Sequence, residues 1–113
     1  MPKLKSIKLV MAYWCPHCVP TTLEAMKKAS KELGVPLEIY DIDKPEQEKI
    51  ADELVKKYGD WSENYLIPQV FFEFEDGSVK HVLTGQSAGV SATKRKIEEL
   101  FSSEFYNALK NAK

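Results

Sequence analysis

The sequence has no large excess of charge of either sign. Its 16 lysine and arginine residues are balanced by 17 aspartate and glutamate residues, which gives a formal net charge of −1. A chain with this balance has no overall electrostatic field that would attract nucleic acid or an anionic membrane. We therefore expect neither nucleic acid nor a membrane among its partners.

Long hydrophobic runs are also missing. The apolar run at residues 9–14 follows a basic start, but it is too short for a signal-peptide core and far too short to span a bilayer. This pattern predicts a cytoplasmic protein. The 113 residues, 43% of them hydrophobic and 29% charged, predict one globular domain over residues 1–113, which we expect to be a monomer.

Cysteine is scarce: the chain has only Cys15 and Cys18. A structural disulfide framework uses more cysteines at wider spacing, and the cytosol keeps most thiols reduced, so this pair indicates chemistry. The alternatives are two ordinary core thiols or two metal ligands. A closed zinc site needs four ligands, and only His17 and His81 could complete it. We expect no metal and no bound cofactor.

Strand and helix patterns alternate along the first half of the chain. Residues 7–13 form an apolar run typical of a buried parallel strand. A helix is predicted over residues 16–33, with a proline in its first turn and Gly34 at its end. A second strand is predicted over residues 37–42 and a second helix over residues 45–58.

The second half begins with a hairpin pattern. Apolar segments at residues 70–75 and 79–84 flank an Asp-Gly pair at 76–77, which favours a tight turn. A third helix is expected to follow, capped by Ser91 and apolar along one side as far as Leu109. The order β-α-β-α-β-β-α predicts an α/β fold: a four-stranded mixed sheet with helices on both faces.

Three short motifs fall at defined points of this order, after the first strand, before the hairpin and after the last strand: Tyr13-Trp14-Cys15-Pro16-His17-Cys18, Ile67-Pro68 and Gly85-Gln86. In this order and context the chain resembles the thioredoxin superfamily over residues 7–101. The resemblance implies a thioredoxin-like fold and a thiol–disulfide oxidoreductase that acts on protein disulfides. A disulfide reductase or a small thiol would supply the electrons.

The spacing of the cysteines explains their expected roles. Residues at i and i+3 in the first turn of a helix share one face, so Cys15 and Cys18 can form a disulfide. Unpaired N–H groups at a helix N-terminus stabilise a thiolate. We expect Cys15, at the exposed tip, to be the nucleophile and Cys18, one turn further in, to be the resolving thiol.

His17 is the third expected catalytic residue. The same Pro-His pair separates the cysteines in the strongly oxidising branch of the superfamily. An imidazole beside the thiolate stabilises the reduced form and so makes the disulfide a better oxidant. That branch is exported, whereas this sequence has no export pattern, so the direction of electron flow stays open.

The resemblance also implies a groove for an extended substrate. Pro68 is expected to be a cis-proline packed against the disulfide, which leaves the backbone of Ile67 free to pair with the substrate. Gly85 and Gln86 are expected to line the other side of this groove, and Trp14 is expected to give it an apolar wall. The expected groove residues are Trp14, Pro16, Ile67, Pro68, Gly85 and Gln86.

The sequence also departs from the thioredoxin and glutaredoxin patterns that it resembles. Leu9 and Ile39 stand where thioredoxin carries the Asp and Lys of a proton relay, so a proton from Cys18 would have to leave through water, Glu38 or another group. Residues 85–89 replace the Gly-Gly-x-Asp-Asp signature with which glutaredoxins hold glutathione. Two other functions stay open: a glutaredoxin-type enzyme acting on glutathione mixed disulfides, and a redox-inert or metal-holding binding protein that uses the groove.

Overall fold

A computed structural model describes residues 2–112 and gives an α/β architecture. The strands are β1 (Leu4–Met11), β2 (Leu37–Asp41), β3 (Gln69–Phe74) and β4 (Val79–Thr84). The helices are α1 (Leu23–Leu33), α2 (Pro45–Tyr58), α3 (Val90–Ser102) and α4 (Glu104–Asn111), and an irregular turn at His17–Thr22 precedes α1. Within residues 2–112, no helix combines the length and apolar character needed to cross a membrane.

The four strands form one mixed sheet in the order β2-β1-β3-β4. β1 runs parallel to β2 and antiparallel to β3, and β3 pairs antiparallel with β4. The predicted four-stranded mixed sheet and its hairpin are confirmed. β1 is a central strand, and its C-terminal end leads directly to the two cysteines.

Both faces of the sheet are covered by helices. Along β1 the side chains alternate, so that Leu9 and Met11 point to one face and Val10 to the other. The first face packs on α1, α3 and α4, and this larger core also contains both cysteines. The second face packs on α2, and its buried residues are Val10, Ala51, Val55 and Phe71. Burial on both faces explains the continuous apolar run in β1.

The predicted first helix is wrong at its N-terminal end. Val19 has extended dihedrals (φ −125°, ψ 128°), and regular α1 begins only at Leu23. The cause is Pro20, because a proline lacks the N–H of the helical ladder and keeps the preceding residue out of the α region. Cys18 therefore lies in the irregular turn and Cys15 just before it, and neither lies in the first turn of α1.

The predicted third helix is also wrong, because it is two helices. The chain becomes extended at Ser103 (φ −71°, ψ 153°), and the Ser103 hydroxyl accepts a 3.1 Å hydrogen bond from the Tyr106 N–H to cap α4. Ser91 is not a cap: Gly89 occupies the cap position of α3, with a φ of 134° that favours glycine. The order therefore gains a C-terminal helix, which buries Tyr106 and Leu109 in the larger core.

The other boundaries differ from the predictions by a few residues at most. β1 covers residues 4–11 rather than 7–13, and β2 ends one residue earlier than predicted. β3 covers residues 69–74 rather than 70–75, whereas α2 and β4 have the predicted bounds. β1 begins before the apolar run because Leu4 and Ser6 already pair with β3, with a register shift between them.

Candidate active site

The backbone after β1 brings the two cysteines together. The Cys15 N–H donates to the Ala12 carbonyl over 3.2 Å, and the N–H groups of Cys18 and Val19 both donate to the Cys15 carbonyl over 3.0 Å. These bonds fold the segment into a tight turn. The cysteines approach to 3.3 Å, and both are free thiols.

The two thiols differ in exposure, although neither is open to solvent. Cys15 is 5% exposed and Cys18 is fully buried. The expectation that Cys15 lies at an exposed tip is therefore wrong. Its Sγ lies 4.0 Å from the carbonyl oxygen of Ile67, so a segment distant in sequence approaches it. The side chains of Tyr13, Trp14 and Pro16 around it are exposed, Trp14 at 67%.

Burial also sets the ionisation of Cys18. Loss of solvent raises the pKa of the Cys18 thiol, and the neighbouring Cys15 raises it further. A hydrogen bond with the Ala12 backbone acts in the opposite direction, but its effect is smaller than that of burial. Burial therefore keeps the Cys18 thiol protonated at neutral pH.

His17 is held from two sides. Its ring Nδ1 lies 2.8 Å from Thr93 Oγ1, and its carbonyl oxygen accepts a 2.7 Å hydrogen bond from the Thr22 hydroxyl. Thr93 is fully buried and also accepts a 2.9 Å bond from the Gln86 N–H. Sequence reasoning did not identify Thr93, because no local pattern connects residues that are 76 positions apart.

Ile67, Pro68 and Gly85 form a close-packed unit beside Cys15. The Ile67–Pro68 peptide bond is cis, as expected from the sequence, and the Gly85 N–H donates to the Pro68 carbonyl over 2.7 Å. A Cβ atom on Gly85 would lie 2.5 Å from the Ile67 carbonyl oxygen and 2.7 Å from Pro68 Cδ. Glycine is therefore needed here for space, because it lets β4 end against the segment that approaches Cys15.

The remaining groove residues have weaker connections to this unit. The Gln86 side chain bonds locally, with Nε2 donating to the Thr84 carbonyl over 2.8 Å. Trp14 and Pro16 are exposed on either side of Cys15 in the chain. The structure thus brings Ile67, Pro68 and Gly85 to the cysteines, whereas Trp14 and Pro16 are near Cys15 through chain adjacency.

Leu9 and Ile39, which stand where thioredoxin carries its proton relay, also lie in apolar surroundings. Leu9 is fully buried in the larger core, and Ile39 packs against it. Glu38 bonds to Lys8 and to Tyr40, which belongs to the core on the opposite, α2 face. The hydrogen bond from Lys8 holds the pKa of Glu38 below its usual range. Glu38 is thus across the sheet from the cysteines, a position that argues against the suggested role as their proton acceptor.

The buried side-chain amide of Gln69 fixes the loop between α2 and β3 through hydrogen bonds. Gln69 Nε2 donates to the carbonyl oxygens of Asp60 (3.1 Å) and Leu66 (3.0 Å), and its Oε1 accepts from the Asp60 N–H (3.1 Å). Tyr65 donates to Asp52 on α2 over 2.7 Å. The loop therefore delivers residue 67 to the site in a fixed position. A polar residue at the start of an apolar strand was the only sequence signal for Gln69.

No group of three or more His, Cys, Asp or Glu side chains in the described part of the chain, residues 2–112, is arranged to hold a metal ion. His81, the other histidine, lies on β4, where its Nε2 is 2.6 Å from Thr84 Oγ1 and 3.9 Å from the Asp60 carboxylate.

Comparisons with models of protein families, with curated proteins and with solved structures found no significant match to this chain.

Proposed function

We propose that this protein is a thiol–disulfide oxidoreductase of thioredoxin-like fold that exchanges electrons with protein disulfides. The observation that carries the proposal is the pair of free thiols 3.3 Å apart, of which Cys15 alone is slightly exposed and lies against Ile67. Two thiols at this distance can close into a disulfide with little movement.

The architecture around the pair supports a thioredoxin-like arrangement. The Cys-x-x-Cys turn follows a central strand, and a cis-proline precedes the strand next to it in the β2-β1-β3-β4 sheet. Helices cover both faces of that sheet.

The proposed reduction of a substrate disulfide proceeds by two exchanges. The Cys15 thiolate attacks one substrate sulfur, a Cys15–substrate mixed disulfide forms, and the first substrate thiolate leaves. Cys18 then loses its proton and attacks Cys15 Sγ, which releases the second substrate thiolate. The Cys15–Cys18 disulfide that forms has lost two electrons, the two substrate thiolates have gained them, and two protons pass from the cysteines to the substrate thiols. Oxidation of a substrate dithiol is the reverse.

The asymmetry of the pair supports this division of roles. Burial raises the pKa of Cys18, so Cys18 is a poor nucleophile toward molecules in solution. It is nevertheless within reach of Cys15 and can attack there once the mixed disulfide has formed. Cys15 is therefore proposed as the nucleophile and Cys18 as the resolving thiol, with His17 adjusting the stability of the thiolate.

Ile67 supports the proposed recognition of an extended protein segment. Its carbonyl oxygen is close to Cys15 Sγ, so a substrate strand that paired with the Ile67 backbone would bring its own sulfur to the nucleophile. Trp14, Pro16 and Gln86 are proposed as the surrounding contacts. A disulfide reductase or a small thiol would return the protein to its reduced form.

Trapping of the mixed disulfide tests this proposal. Cys18→Ser should accumulate a covalent complex with a disulfide-containing protein such as insulin, because the resolving thiol is gone. Cys15→Ser, the matched control, should accumulate none, because its remaining thiol is buried. Wild-type protein should reduce insulin with dithiothreitol as the electron source.

Other results would favour the alternatives. Activity on a glutathionylated peptide without activity on insulin would indicate a glutaredoxin-type enzyme. Equal trapping by both variants, or no trapping by either, would contradict the proposed roles. Stoichiometric zinc in the purified protein would support a metal-holding binding protein instead.

A further inference from the structure

Thr93 occupies an unusual position for a helical threonine. It is fully buried in the first turn of α3, and its hydroxyl lies between the His17 ring and the loop that follows β4. Its Oγ1 is 2.8 Å from His17 Nδ1, 2.9 Å from the Gln86 nitrogen and 3.5 Å from the Gly89 carbonyl oxygen. One hydroxyl therefore contacts both the cysteine turn and the loop at residues 85–89.

The donors and acceptors at this hydroxyl can be assigned. A threonine hydroxyl has one proton to donate and two lone pairs to accept with. The Gln86 N–H uses one lone pair, because a backbone N–H only donates. The proton can go to His17 Nδ1 or to the Gly89 carbonyl, and the 2.8 Å contact is far better than the one at 3.5 Å.

The shorter of the two contacts favours one tautomer of His17. If Nδ1 accepts the proton of Thr93, the neutral ring carries its own proton on Nε2. If the ring becomes cationic, Nδ1–H can donate to the second lone pair of Thr93 while the hydroxyl turns to Gly89. In both states Nε2 is the ring nitrogen that Thr93 does not contact, and within residues 2–112 no hydrogen bond to it is present.

We infer that Thr93 is a positioning residue for the redox pair: it fixes the ring of His17 as the Nε2–H tautomer and couples it to the loop at residues 85–89. The effect on the redox pair rests on the proposed function, because His17 matters there through its action on the thiolate. The tautomer itself depends only on the geometry around Thr93.

The first test is the tautomer of His17 in the wild-type protein. In long-range ¹H–¹⁵N spectra of histidine-labelled protein above the titration range, His17 should show a protonated Nε2 and an unprotonated Nδ1, with His17→Gln assigning the signals. An Nδ1–H tautomer would overturn the inference. Thr93→Val should give a mixture of tautomers, whereas Thr93→Ser, which keeps the hydroxyl, should retain the wild-type pattern.

The spectra have an internal control at the second histidine. His81 contacts Thr84 Oγ1 through Nε2. Thr84→Val should therefore change the signals of His81 and leave those of His17 unchanged. A change at His17 in Thr84→Val as large as that in Thr93→Val would show a general disturbance and would overturn the inference.

The second test is the equilibrium of the Cys15–Cys18 disulfide with glutathione. Thr93→Val should favour the disulfide by about threefold or more, equivalent to about 14 mV toward a more reducing potential, because the reduced form loses support from His17. In a His17→Gln background the same substitution should have no further effect, since its partner is already gone. An unchanged equilibrium in Thr93→Val, or an equal shift in both backgrounds, would contradict the coupling.

These readouts separate the inference from the proposed function. If the wild-type protein formed no internal disulfide, the proposed function would fail, and the tautomer of His17 would still test the role of Thr93. If Thr93→Val did not fold, the wild-type tautomer and the Thr93→Ser equilibrium would decide, and a Thr93→Ser value far from that of wild type would overturn the inference.

Discussion

The contact between Gly85 and the Ile67–Pro68 segment leads to a quantitative prediction. In Gly85→Ala, the new Cβ would lie 2.5 Å from the Ile67 carbonyl oxygen, whereas ordinary contacts begin at 3.4 Å. The two segments must therefore separate by about 1 Å to relieve the overlap. Both nearest neighbours belong to the Ile67–Pro68 unit, so this movement displaces the group that approaches Cys15.

Two effects of Gly85→Ala follow, and they differ in size. Overpacking of this kind costs about 1–3 kcal/mol of the free energy of unfolding. A displacement of about 1 Å at a reacting centre can slow a reaction by about 100-fold. We therefore expect insulin reduction to fall by about 10- to 100-fold while most of the protein stays folded.

Gly77→Ala is the matched control for this prediction. Gly77 lies in the hairpin, where a Cβ atom would meet nothing within 4 Å, but its φ of 89° disfavours alanine. This variant should lose about 1–2 kcal/mol of stability and keep its exchange rate. Urea unfolding and insulin reduction, measured on both variants, separate the two effects. An unimpaired exchange rate in Gly85→Ala would refute the reasoning from close contact.

Three further predictions concern single side chains. Iodoacetamide at neutral pH should modify Cys15 in the folded reduced protein and leave Cys18 unmodified, as read by peptide mass; equal labelling would contradict the assigned asymmetry. Because the pKa of Cys18 is raised in the folded state, the unfolded chain ionises first, so the stability of the reduced protein should fall as pH rises above about 8.5. Urea unfolding should show a smaller fall in Cys18→Ser, and an equal fall would refute the cause. Glu38→Gln should leave the rate of insulin reduction within about twofold of wild type, because Glu38 lies across the sheet from the cysteines; a rate lowered by about tenfold would restore it as a proton acceptor.

Local patterns are enough to predict most of the fold. The apolar run of β1, the Asp-Gly turn and the apolar spacing of α2 each depend on neighbours in sequence, and the structure follows them closely. The break at Ser103 cannot be predicted in this way, because the apolar spacing continues from Leu100 across it to Leu109. The break at Val19 has a visible cause in Pro20, whose effect on the preceding residue outweighs the helical pattern around it.

The candidate site likewise has features that local sequence predicts and features that depend on packing between distant segments. The proximity of Cys15 and Cys18 follows from their spacing, which holds even on an irregular turn. The contact of Thr93 with His17 depends on how α3 packs against that turn, and the spacing of the two residues does not encode it. The low exposure of Cys15 likewise depends on the Ile67 segment, which other parts of the fold hold in place.

The proposed function requires that Cys15 and Cys18 form a reversible internal disulfide. The most direct measurement equilibrates the protein in a graded series of glutathione buffers, alkylates the free thiols and determines the mass of each species. We expect one two-electron transition between a form with two alkylated thiols and a form that has lost two hydrogen atoms and takes up no label. A protein that forms no internal disulfide at any ratio, or that accumulates only mixed disulfides with glutathione, would contradict it.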